Sequence, residues 1–106
     1  MKKELARVFT QLVADLKSPE EVEIFFKDFF NDSEFETFAK RLGVAYWLKK
    51  GRNYENIKNN LKVSSATIAT IQSLMKKPGF VLAIKKAEAE EWANVWAEKI
   101  KGFIKK

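Results

Sequence analysis

From Lys3 to Leu16 the apolar residues Leu5, Val8, Phe9, Leu12, Val13 and Leu16 recur at intervals of three and four, the spacing that puts side chains on one stripe of a helix. A second helix is predicted to open at Ser18-Pro19-Glu20-Glu21. Ser supplies an N-cap acceptor, Pro occupies the first helical position at no cost in hydrogen bonding, and Glu21 falls three residues past the cap, where a capping box wants it. The apolar residues that follow, Val22, Phe25, Phe26, Phe29 and Phe30, cover a wide arc. So aromatic a face suits burial against another helix or another subunit. Asn31-Asp32-Ser33 interrupts the pattern and offers caps for a third helix, about Ser33 to Lys50, which presents Phe35, Phe38, Ala39, Leu42, Ala45, Tyr46 and Leu48. Gly51 ends it, with Lys49 and Lys50 favourably placed against the helix dipole. Gly43 inside it costs about 1 kcal/mol relative to Ala, which points either to close helix packing or to a different boundary.

The densest local signal comes next. Asn53 caps a short helix, Tyr54 to Leu61; Lys62-Val63-Ser64 makes a tight turn; a second helix runs from Ser65 to Lys77. This is the pattern of a helix-turn-helix at about residues 53–77, in which one helix crosses the DNA backbone and the next lies in the major groove. Ile57, Leu61, Val63, Ile68 and Ile71 form the inward set, Ser64 is the cap of the second helix, and Ser65, Ala66, Thr67, Ala69 and Thr70 are small enough for close approach to base edges. Lys62 stands where such turns usually carry Gly, in a conformation that a residue with a Cβ reaches only at a cost. After the break at Lys77-Pro78-Gly79, a long last helix is predicted from Phe80, with Val81, Ile84, Ala87, Glu88, Glu91, Trp92, Val95, Trp96, Ile100 and Phe103 as its recurrent positions. Trp92 and Trp96, one turn apart, read as core or interface anchors, with ligand stacking the alternative. Lys99 to Lys106 reads as a fraying tail.

The elements describe an all-α chain of 106 residues, expected to form a single domain over 1–106. A domain of this size has either a thin core of its own or one completed by a second copy. Charge adds a direction. Residues 1–36 carry 5 basic and 9 acidic side chains, residues 37–79 carry 9 and 1, and residues 80–106 carry 6 and 4, so the net +6 is concentrated on the helix-turn-helix region. The absence of Cys and His removes thiolate nucleophiles, cysteine-ligated metals, the commonest general base and the commonest metal ligand. No carboxylate pair is placed for acid/base work, so catalytic residues, metals and cofactors are expected to be absent. No apolar run reaches the roughly 18–20 residues of a membrane span, and Met1-Lys2-Lys3 leads into Glu4 and a polar-spaced helix, which predicts a cytoplasmic protein.

The order of elements resembles the tryptophan-repressor superfamily, in particular its small YerC/YecD-type relatives. The residues that carry the likeness are Ser18-Pro19-Glu20-Glu21 with the Phe-rich helix after it, the stretch from Glu34 through Arg41-Leu42, Ala45 and Leu48 to Gly51, the Tyr54, Ile57, Leu61 helix, and the run Val63-Ser64-Ser65-Ala66-Thr67-Ile68. The resemblance implies six helices per chain in an intertwined homodimer, with the central helix pair as the DNA reader. It also implies an effector position between two arginines. Arg41 matches the first, Thr70 replaces the second, and Ile71 replaces the small glycine after it. Such a vestigial site should hold tryptophan weakly or not at all, having lost a guanidinium clamp and gained a branched side chain; no other effector is indicated.

The expected partner is double-stranded DNA carrying a pseudo-palindromic operator, matched to the two-fold symmetry of the homodimer. Lys58, Lys62, Lys76 and Lys77, with the hydroxyls of Tyr54 and Thr67, are the candidate phosphate contacts. Ser65, Ala66 and Ala69 are the candidate base readers, Ser by hydrogen bonding and Ala against a thymine methyl. Short side chains of this kind leave much of the readout to water and DNA shape. The competing expectation is a non-enzymatic helical dimer that serves as a protein-interaction or structural module, its DNA surface degenerate.

Overall fold

The computed structural model describes residues 2–104, with side chains described as far as Glu91. These residues form six α-helices: α1 (Lys3–Ala14), α2 (Pro19–Phe29), α3 (Asp32–Lys49), α4 (Tyr54–Leu61), α5 (Ser65–Leu74) and α6 (Pro78–Ile104). The fold is all-α, as its periodicities require. Short side chains fix the helix starts. Ser18 Oγ accepts from Glu21 N at 3.1 Å, and Asn53 Oδ1 accepts from Asn56 N at 2.8 Å. At α3 the cap is reciprocal: Asn31 Oδ1 accepts from Glu34 N at 2.8 Å, while Glu34 Oε1 accepts from Asn31 N at 2.9 Å. Each of these bonds satisfies an amide that the helix itself leaves without a partner.

Three boundaries differ from the sequence expectation by two residues or more. α1 stops at Ala14, with Leu16 N donating to Val13 O at 3.2 Å in a tight closing turn. α5 stops at Leu74, three residues early. α6 begins at Pro78, two residues early, and Val81 N donates to Lys77 O at 3.0 Å in its first turn. The proline read as a breaker is a helix starter, because its missing N–H would have had no helical partner at that position. The backbone of α6 is helical through Ile104, so most of the stretch read as a fraying tail continues the helix. The side chains of Trp92 and Trp96 lie outside those described.

The chain groups into two compact units, Met1–Thr37 and Phe38–Lys106. In the first, Phe9 lies 5.9 Å from Phe25 and 6.5 Å from Phe29 between ring centroids, Phe25 and Phe29 stack at 4.2 Å, and Phe26 meets Phe30 and Phe35 edge-on. Yet none of the described residues 2–37 is buried, and Leu5, Val8, Ile24 and Phe29 are each at least 60% exposed. This unit has aromatic contacts without an interior.

The second unit has one. Val44 and Ala45 of α3, Ile57 of α4, Ile68 and Ile71 of α5 and Ile84 of α6 are buried together, flanked by the partly buried Leu48, Leu61, Val63, Met75 and Phe80. Ile57, Ile68 and Ile71 of the inward set read from the helix-turn-helix are therefore at the centre of this core, with Leu61 and Val63 at its edge. α3 is read differently: Val44 is fully buried, whereas Phe35, Phe38 and Leu42 are exposed. Only the C-terminal half of α3 packs into this core, and a repeat pattern counted over its whole length does not show which half that is. Gly43 has a packing reason. A Cβ built there would stand 3.2 Å from Leu61 Cδ1, so the small residue lets α3 and α4 approach.

Candidate nucleic-acid interface

Two helix ends shape the site. α3 closes on Gly51 at φ +85°, with Gly51 N donating to Leu48 O at 3.0 Å and Arg52 N to Trp47 O at 3.1 Å, the pair of bonds of a Schellman cap. α4 closes on Lys62 in the left-handed region, φ 55° and ψ 52°, where its N–H bonds Lys58 O. Lys62 is the residue whose conformation the turn was expected to strain, and its carbonyl accepts from Lys40 Nζ at 3.3 Å. Val63 then tucks half-buried under the turn, and Ser64 caps α5 by accepting from Thr67 N at 3.1 Å; its Oγ also lies 2.9 Å from Thr67 Oγ1.

Ile68 and Ile71 bury one side of α5, and helical spacing turns Ser65, Ala66 and Ala69 to the other, where all three are exposed. Ser73 shares that face, one turn beyond Ala69, and was missed by sequence reading although its i+4 spacing marked it; its Oγ donates to Thr70 O at 2.6 Å. α5 carries no charged residue, while Lys62 precedes it and Lys76 and Lys77 follow it, all exposed, with Lys58 exposed on α4. Tyr54 is half-buried, and its hydroxyl donates to Gln72 Oε1, which ties the start of α4 to the C-terminal half of α5. A phosphate contact by Tyr54 therefore requires this hydrogen bond to exchange. Gln72 is a second residue the sequence reading missed, since nothing local announces a bond across eighteen positions. Arg52 is the third: its guanidinium sits 3.9 Å from the Trp47 ring centroid and its Nη1 donates to Asn56 Oδ1 at 3.1 Å, which fixes a cation at the entrance to α4.

The three positions read as a vestigial effector site have different surroundings. Arg41 lines a groove of about 260 Å³ with Phe38, Leu42, Gly79, Phe80 and Ala83, its guanidinium 5.4 Å from the Phe38 centroid. Thr70 is exposed, its hydroxyl donating to Ala66 O at 3.0 Å, and Ile71 is buried in the core. Neither lines that groove.

Residues 4–88 match the family model described as Trp repressor protein. The chain belongs to the Trp repressor family. It is also 36% identical over 70 residues to the uncharacterized protein YerC of Bacillus subtilis (strain 168), a match that covers 66% of each chain. The family match runs from the first turn of α1 into α6, so it takes in the capped helix pair and the buried isoleucines that close it.

Proposed function

We propose that two copies of this chain intertwine as a homodimer and bind double-stranded DNA, each placing α5 in a major groove of a pseudo-palindromic site as a transcriptional regulator. The observation that carries the reading is the division of α5: isoleucines fill one side, small side chains occupy the exposed side, no acid lies on the helix, and lysines stand at both ends. An α-helix is about 10–12 Å across and the major groove is about 12 Å wide, so small residues on the outer face let the backbone come close to base edges. In this reading Ser65, Ala66 and Ala69 meet the bases, while Lys58, Lys62, Lys76 and Lys77, with Thr67 and an exchanging Tyr54, hold phosphates. The single domain over residues 1–106 completes its interior in the dimer, where the uncovered face of α1 and α2 finds its partner. The setting is cytoplasmic.

The test is a titration of a random-sequence duplex and of a genomic fragment pool at several salt concentrations, repeated with Lys58→Glu and Lys62→Glu. Binding that weakens with salt, weakens further on charge reversal and selects a palindrome is expected. No binding at low salt, or binding indifferent to both reversals, overturns the reading and favours the protein-interaction module, which exposed Glu55 at the start of α4 would suit.

A further inference from the structure

Behind the helix pair a second cavity, of about 360 Å³, opens where three helices end or begin. Lys49 near the end of α3, Gln72 of α5, Lys76 just beyond α5 and Lys85 of α6 supply its polar groups; Met75, Val81 and Ile84 supply an apolar floor. Its lining holds three ammonium groups, one amide and no carboxylate. Among the described residues neither Lys76 nor Lys85 has an acidic partner, and the one pair that Lys49 makes, to Glu88 Oε1, is long at 3.9 Å. Gln72 directs its carbonyl oxygen to the Tyr54 hydroxyl, and its amide nitrogen adds neutral donors to the lining.

We propose that this cavity is a binding site for a small amphiphilic organic anion, a molecule with an aromatic or aliphatic body and one carboxylate or phosphate group. The volume lies at the small end of ligand clefts, which run to roughly 300–1,000 Å³. The floor decides the body. Ile84 is buried in the core, while Met75, unbranched and polarizable, adapts to whatever lies on it. The rim decides the head group, since flexible lysine stems can bring their charges onto a single anion from three helices. An inorganic anion would satisfy the rim and leave the floor wet, and a neutral ring would fill the floor and leave the cations unpaired; only a molecule with both parts uses the whole cavity. The site does not rest on the DNA reading, although it shares Lys76 with the proposed phosphate contacts. Through the Tyr54–Gln72 bond, however, its occupant bears on the start of α4.

The proposal is tested by amide NMR titration of the full chain with phenyl phosphate, inorganic phosphate and phenol. Phenyl phosphate is expected to cause saturable shifts at Gln72, Met75, Lys76, Val81 and Lys85, with Kd of about 1 mM or tighter. Inorganic phosphate and phenol should each bind about tenfold more weakly or worse. Lys85 is exposed, so Lys85→Glu should keep the wild-type melting temperature while weakening phenyl phosphate by about tenfold; Lys85→Gln gives the same comparison should the reversal disturb folding. The proposal is overturned by shifts that do not saturate, by shifts that map to the Phe38–Arg41 groove instead, by equal affinity for inorganic phosphate, or by an unchanged Kd in the Lys85 variants.

Discussion

Lys62 offers a direct measure of what the turn between α4 and α5 costs. Its φ of 55° places a side chain with a Cβ in the left-handed region, a conformation that costs about 1–2 kcal/mol in a residue other than Gly. Replacing it by Gly removes that penalty but gives the unfolded chain more freedom, which returns about 0.5–1 kcal/mol. The backbone bonds survive the change, because the N–H of residue 62 still reaches Lys58 O and its carbonyl still accepts from Lys40 Nζ. The net expectation for Lys62→Gly is a stabilisation of about 0.5–1 kcal/mol, a rise in Tm of about 2–6 °C for a domain of this size. Lys62→Ala isolates the cause, since it removes the same charge and long stem yet keeps the strained φ. Urea unfolding of the three proteins at one fixed protomer concentration should show Gly above both Lys and Ala with m unchanged. A Gly variant no more stable than the Ala variant would refute the attribution to backbone strain. In the DNA titration, both variants should flatten the dependence of log K on log salt by about 0.9 for each phosphate that the protein no longer neutralises.

Gly43→Ala should be close to neutral in thermal unfolding, as about 1 kcal/mol of helix propensity offsets the small displacement of Leu61 that a Cβ at 3.2 Å requires. Gly43→Leu should destabilise by about 1–3 kcal/mol in the same assay, because the larger side chain cannot share that space. Tyr54→Phe should lose about 0.5–1.5 kcal/mol, and a double-mutant cycle with Gln72→Ala should assign that loss to the bond between them. Isothermal calorimetry with tryptophan should show little or no heat, since Thr70 and Ile71 offer no cation where the family's second arginine stands; tight binding would refute that reading.

Helix starts were legible in the sequence because each is a short-range event: Ser18, Asn31, Asn53 and Ser64 bond an amide three residues on, and that geometry is set by the local chain alone. The inward isoleucines were legible for a related reason, since a short helix with one apolar edge has one way to face a neighbour. Pro78 was misread because the same residue ends one helix and starts another, and only the register of the following turn tells which.

The sequence by itself determined six helices, the strained turn at Lys62, the small-residue face of α5 and the concentration of positive charge around it. Tertiary structure alone decided which half of α3 enters the core, that Tyr54 is held by Gln72, that Arg41 lines a groove with Phe80, and that Lys49, Lys76 and Lys85 surround one cavity. The physical reason is range. Caps and periodicity act over three or four residues and are written in neighbouring letters, whereas a cavity or a hydrogen bond between helices depends on where separate elements stop and how closely they pack, and small residues such as Gly43 set that approach from a distance.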